Sequence, residues 1–154
     1  TLADILIHSG YHDITLIDLS PSALEIVKKR LGATADLPVY YVGNICTFSS
    51  EKLFDVWHDR AVFHFLQKEE EQQTYLKTLH KSLSSEGHAI IGTFGVNGPD
   101  SCSTLPVCRY NEEQMKNLVQ DLFNIIEVVD ETHITPGGSE QHYSFFILKP
   151  IQSL

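Results

Sequence analysis

Apolar positions along the chain fall into blocks whose spacing alternates between helical and extended periods. Leu2, Ile5 and Leu6 recur at helical spacing over residues 1–9, and Gly10 stops that run. Residues 14–19 (ITLIDL) form a β-branched run of strand length. Ser20 then offers a side-chain oxygen as N-cap and Pro21 suits the first helical position, so a helix is predicted to about Leu31, closed by Gly32. Residues 39–42 predict a short strand and 54–58 a buried one. Residues 69–83 predict a helix with Tyr75, Leu76, Leu79 and Leu83 on one face, and 88–94 the next strand. After an irregular stretch over 95–110, Asn111 caps a helix to about Leu122. Two extended runs close the chain, 124–133 and 142–149, joined through the turn residues Thr135-Pro136-Gly137-Gly138. Strands alternating with helices imply an α/β fold, a mostly parallel sheet with helices on both faces, to which the closing hairpin adds an antiparallel strand.

Length and composition narrow the choice. The 154 residues, 42% of them hydrophobic, suit one compact domain with a sizeable core. A formal net charge of −9 repels phosphate backbones and counts against nucleic acid as a partner. The basic run Lys28-Lys29-Arg30 falls at a helix end, where it complements the helix dipole. No run is long enough to span a membrane. Three cysteines, Cys46, Cys102 and Cys108, lack metal-type spacing and are odd in number, so neither a zinc site nor a disulfide framework is expected, and a cytoplasmic setting is.

The polar residues that interrupt the apolar blocks sit where strands end. In doubly wound sheets ligands bind outside the carboxyl ends of the strands. Asp18 lies near the end of the 14–19 run, where a carboxylate accepts ribose hydroxyls as readily as it serves a solvated loop. Gly43-Asn44-Ile45 follows the next strand and reads as an adenine contact or as an ordinary turn. His58, Asp59 and Arg60 end the strand that starts at Phe54. Adjacent residues of a strand face opposite ways, so His58 and Asp59 are not a catalytic pair, whereas His58 and Arg60 share a face. His64, within an apolar segment, is expected to be a hydrogen-bonded core histidine.

These runs resemble the motifs of class I, Rossmann-like methyltransferases. Ile14 to Ser20 is similar to their second-strand motif, Gly43-Asn44-Ile45 to the third-strand position, Asp55 to Leu66 to the fourth-strand motif, and Ser85 to Phe94 to the fifth strand. Cys102 to Tyr110 is similar to a segment of one bacterial-type subgroup. The resemblance implies S-adenosylmethionine as cofactor, held by Asp18, Leu19, Asn44, Ile45 and Asp59. It implies His58 and Arg60 as catalytic or orienting groups, Arg109 and Tyr110 at the substrate, and no metal. Asn44 departs from the usual acid. The strand and glycine-rich turn that precede the first helix in this family do not occur, so residues 1–154 are expected to be a single methyltransferase domain incomplete at its N-terminus.

Methyl transfer from a sulfonium releases a neutral thioether, so alignment carries much of the rate and no acid is required. His58 would serve as base where the acceptor carries a proton. Neither an Asp/Asn-Pro-Pro-aromatic motif nor a Pro-Cys pair occurs, which counts against amide or base nitrogens and pyrimidine carbon as acceptors. A small molecule or a protein side chain is the expected acceptor. Two rivals stand beside this reading. A nicotinamide-dependent oxidoreductase would use Asp18 equally well but would need a Tyr-x-x-x-Lys pair that is not there. A non-catalytic Rossmann-like module that has lost cofactor binding suits Asn44 and the missing turn.

Overall fold

The computed structural model describes residues 2–152. The chain divides into two compact units, Thr1–Phe48 and Ser49–Leu154. In the first, helix α1 (Leu2–His8) is followed by strand β1 (Thr15–Asp18), helix α2 (Pro21–Leu31) and strand β2 (Val39–Val42). The two strands pair in parallel, Thr15 opposite Val39 and Asp18 opposite Val42. As the sequence implied, Ser20 caps α2 by accepting the Ala23 N–H at 3.3 Å, Pro21 starts it, and Gly32 ends it with a φ of 55°. Thr1 lies outside the described residues. The buried face of α1 is not the expected one: Ala3 and Ile7 are buried, while Leu2 and Ile5 are exposed. Ala3 and Ile7 are one helical turn apart, and that narrower i, i+4 pair, rather than the larger side chains, makes the packed stripe.

The basic run also does more than face a dipole. Arg30 donates Nε and Nη2 to the Asp4 carboxylate at 2.8–3.1 Å and so ties α2 to α1, while Lys28 pairs with Glu25 and lies over the Tyr40 ring. The Arg30 fork holds the Asp4 carboxyl well below the usual range.

The second unit contains strand β3 (Phe54–Arg60), helix α3 (Glu69–Ser82), strand β4 (Leu83–Phe94), a two-rung hairpin of β5 (Ser101–Cys102) and β6 (Leu105–Pro106), helix α4 (Glu112–Val119), and strands β7 (Phe123–Ile134) and β8 (Glu140–Pro150). One sheet runs in the order β3-β4-β8-β7. β3 and β4 are parallel, and β8 adds antiparallel to β4 with β7 beside it. This is the α/β arrangement with a closing antiparallel hairpin that the alternation of periods implied. β4 begins directly at Leu83, its register to β3 shifts before His88, and at Gly87 within that shift a Cβ would come 2.9–3.0 Å from the Phe54 and Ser84 carbonyl oxygens. The 95–110 stretch is not wholly irregular. The β5–β6 turn places both Ser103 (φ 50°) and Thr104 (φ 70°) in the left-handed region, a strained turn for residues other than glycine.

α3 buries Tyr75, Leu76 and Leu79 completely, as its spacing required. Phe63, Ile91, Met115, Phe123, Phe146 and Leu148 are likewise at 0–1% exposure, and the Phe63 ring lies 5.0 Å from that of Tyr75. β3, in contrast, is not buried as expected. It ends the sheet, so only the side bearing α3 is covered: Trp57 and Asp59 are buried, and Val56, His58 and Arg60 are exposed. No helix among the described residues is long and apolar enough to cross a membrane, and the three cysteines are free.

Candidate functional site

In the first unit, the ends of β1 and β2 form one corner. The Gly43 N–H donates to the Asp18 carbonyl at 3.0 Å, which extends the ladder one residue and sets Asn44 beside the loop that leaves Asp18. The Cβ of any other residue at 43 would come 2.6 Å from the Tyr41 ring and would require that side chain to move. Asp18 is exposed and accepts the Ser20 N–H at 2.8 Å through Oδ1, which fixes its carboxylate. Asn44 is exposed and accepts the Cys46 N–H at 2.9 Å. Leu19 is exposed and Ile45 half-buried in the same corner. Four of the expected cofactor residues therefore come together.

In the second unit, β3 sorts its polar end by alternation. His58 and Arg60 face outward together, as the period of a strand demands. Although the residue is exposed along the strand, desolvation of its ring and then the Arg60 charge hold the His58 imidazole below its ordinary value, which favours the neutral form. Arg60 lies over the Tyr143 ring, 4.8 Å from its centre. Asp59 faces the core and is 5% exposed. Its carboxylate accepts the Tyr75 hydroxyl at 2.6 Å, the Val62 N–H at 2.9 Å and the Phe63 N–H at 3.1 Å, and Tyr75 in turn accepts the Trp57 indole N–H at 3.2 Å. Burial pushes Asp59 up to about 6 against the pull of those three bonds. The network pins the loop after β3, where Ala61 adopts a left-handed φ of 64° and donates its N–H to the Gly92 carbonyl.

The two residues expected at the substrate are engaged with the protein. Arg109 is exposed and donates to the carbonyls of Val96 and Gly98 at 3.3 and 3.1 Å, which brace the turn after β4. Tyr110 is buried, and its hydroxyl accepts from the Gln72 amide at 3.1 Å; burial raises its pKa. Tyr110 and Asn111 also line a cleft of about 390 Å³, opposite Asp130, Thr132, His142 and Tyr143.

His64 is in the core, as expected, but the expected hydrogen bonds are not there. It is fully buried between the Phe65 and Phe94 rings, and neither ring nitrogen has a partner among the described residues. Its carbonyl, not its ring, does the bonding, accepting the Cys108 N–H at 2.8 Å. Burial lowers its pKa to about 4. The sequence places Tyr75 on the apolar face of its helix and does not single out Tyr143. The signal that marks them is the hydroxyl: a buried tyrosine needs a partner for it, which phenylalanine would not.

The sequence matches a family described as methyltransferase domain over residues 2–91, more than half of the chain. Among solved structures, the fold is similar to that of an S-adenosylmethionine-dependent methyltransferase from Methanosarcina mazei. The TM-score is 0.79 at 16% identity, over 97% of this chain and 87% of that one. It is similar to the 1,6-didemethyltoxoflavin-N1-methyltransferase of Burkholderia thailandensis, with bound 1,6-didemethyltoxoflavin and S-adenosylhomocysteine (TM-score 0.74, 18% identity, 97% and 66% covered). A third likeness is to the N-methyltransferase NodS of Bradyrhizobium japonicum in complex with S-adenosylhomocysteine (TM-score 0.68, 17% identity, 90% and 66% covered). At these identities the structures speak for the fold. No curated protein matches the sequence.

Proposed function

Because the chain belongs to the methyltransferase domain family, class I enzymes that use S-adenosylmethionine, we propose that it methylates a small-molecule acceptor. The observation that carries this reading is the corner of Asp18 and Asn44, set side by side by the Gly43–Asp18 bond. A carboxylate fixed by one backbone N–H keeps acceptor capacity for a ribose hydroxyl, and an exposed amide offers both a donor and an acceptor to an adenine edge. The residues therefore fit the adenosine part of the cofactor, with Leu19 and Ile45 as apolar contacts. The cofactor supplies an electrophilic methyl group on a sulfonium.

The remaining roles belong to the second unit. His58, with its neutral form favoured, takes a proton from an acceptor that carries one. Arg60 orients the acceptor. Asp59, with its carboxylate given to three protein donors, acts through the loop it holds rather than on the cofactor directly. Arg109 and Tyr110 shape the acceptor side by bracing the turn after β4 and lining the cleft. A small acceptor suits a cleft of this size, and the Burkholderia enzyme of similar fold binds a small molecule. We read residues 1–154 as one methyltransferase domain.

Titrating S-adenosylhomocysteine into the chain by calorimetry tests the reading. We expect one-to-one binding that Asp18→Ala weakens about tenfold or more, the loss expected for a hydrogen bond to a charged group. No binding to the wild type, or equal binding to the variant, overturns it.

A further inference from the structure

Arg60 occupies the last position of β3 and is exposed, yet its place is fixed. The next residue is the left-handed Ala61, tied to Gly92, and the one before is Asp59, bonded to Val62 and Phe63. The guanidinium carbon lies over the Tyr143 ring, 4.8 Å from its centre, a cation–π contact that leaves the N–H edge of the fork to other partners. Among the described residues that edge meets neither a carboxylate nor a carbonyl. Tyr143 is 6% exposed, its ring held by Phe94 at 4.8 Å and by Phe145 in a stack at 5.9 Å. Its hydroxyl also has no hydrogen-bond partner among the described residues. Burial keeps it a phenol and therefore a donor. Glu131, opposite Tyr143 in the ladder, pairs with neither group.

Two donors with unspent hydrogens thus stand at one stack, where the partly buried Phe65 and Phe145 pack against the buried cluster of Phe94, Val107 and Tyr143. An acceptor with two lone-pair sites would satisfy both donors, and the partly buried Phe65 and Phe145 beside them suit an apolar body to carry it. We propose that Arg60 and the Tyr143 hydroxyl form an oxyanion post, and that the methyl acceptor is a small carboxylate on an apolar or aromatic body. This rests on the methyltransferase reading and names its substrate class.

The test measures two ligands on the same chain. S-adenosylhomocysteine is titrated first, and benzoate is then titrated into the saturated protein, with the neutral isostere benzamide and the cation benzylamine in parallel. We expect benzoate to bind at least about tenfold more tightly than benzamide. Arg60→Gln should remove that preference and leave S-adenosylhomocysteine binding unchanged. Arg60→Lys should keep part of it, since charge remains without the fork, and Tyr143→Phe should weaken benzoate a few-fold while the stack persists. If S-adenosylhomocysteine binds but benzoate shows no preference over benzamide, or keeps its affinity in Arg60→Gln, the oxyanion post is wrong and the methyltransferase reading stands. A preference for benzylamine also overturns it and points to Glu131. If S-adenosylhomocysteine does not bind, the underlying reading falls and takes this inference with it.

Discussion

The two units are built to different standards. The first has a two-stranded sheet and buries few large side chains, Ile7, Leu24, Leu31 and Phe48 among them. Its order comes from local devices: the Ser20 cap, the glycine at position 32, and an Arg30–Asp4 fork at the surface. The second has a deep core behind a four-stranded sheet and carries two ionisable groups inside it, Asp59 and His64. Local devices are each modest and independent. Buried polar groups are costly when broken, because each removed partner strands others without water. Damage should therefore stay local in the first unit and spread through the second.

The largest effect is expected at Asp59. Asp59→Ala takes the acceptor from the Tyr75 hydroxyl and from the Val62 and Phe63 N–H groups and loosens the loop that holds the left-handed Ala61. We expect a loss of about 3 kcal/mol in urea denaturation followed through Trp57, the only tryptophan. An unchanged midpoint would show that the network is ornamental.

Next in size is a pair of opposed acid responses. Asp59 is raised to about 6 from 3.8, so the folded state holds its proton more tightly than the unfolded chain. That contribution grows as pH falls from 6 towards 3.8. His64 is lowered to about 4 from 6.5, so its contribution is complete above 6.5 and is lost as pH falls towards 4. The two slopes oppose each other across pH 4–6. His64→Phe, which keeps the ring between Phe65 and Phe94, removes the acid-side loss, on the order of 2–3 kcal/mol at full extent. We expect this variant to gain urea resistance on going from pH 6 to pH 4, where the wild type changes less. A variant that loses stability over that range would put the sign, and the buried imidazole, in error.

The smallest effect should separate the units most clearly. Ser20→Ala removes the α2 cap at a cost of about 1 kcal/mol. Amide exchange over α2 should quicken about fivefold while the Trp57 transition moves less. Equal changes at both probes would mean the chain opens as one.

Much of this was legible in the amino-acid order, and the parts that were not share a cause. Caps at Ser20 and Asn111, the glycine stop at 32, the α3 face and the closing hairpin depend on neighbours within a few residues, and so they can be read from sequence. The pairing of His58 with Arg60 on one face follows from strand period alone. What escaped reading depends on which side of an element is covered. The half-exposed β3, the inverted face of α1 and the orphaned ring of His64 are decided by partners far along the chain. Tyr143 escaped for the same reason: Phe94 meets it through β4–β8 pairing and Arg60 from β3, and neither lies near residue 143 in the chain.

The β7 strand has a consequence of its own. It is the outermost strand of its sheet, twelve residues long, with Ile126, Val129 and Ile134 exposed. Such a rim invites a neighbour to add a strand and begin an aggregate. Two features work against that here. The register slips between Ile125 and Glu127, which breaks the even spacing a docking strand would need, and Glu127, Asp130 and Glu131 put like charges along the same stretch. Colloidal behaviour is thereby tied to charge as well as to shape: like-charged rims of two copies repel, and salt that screens them leaves the bulge to act alone.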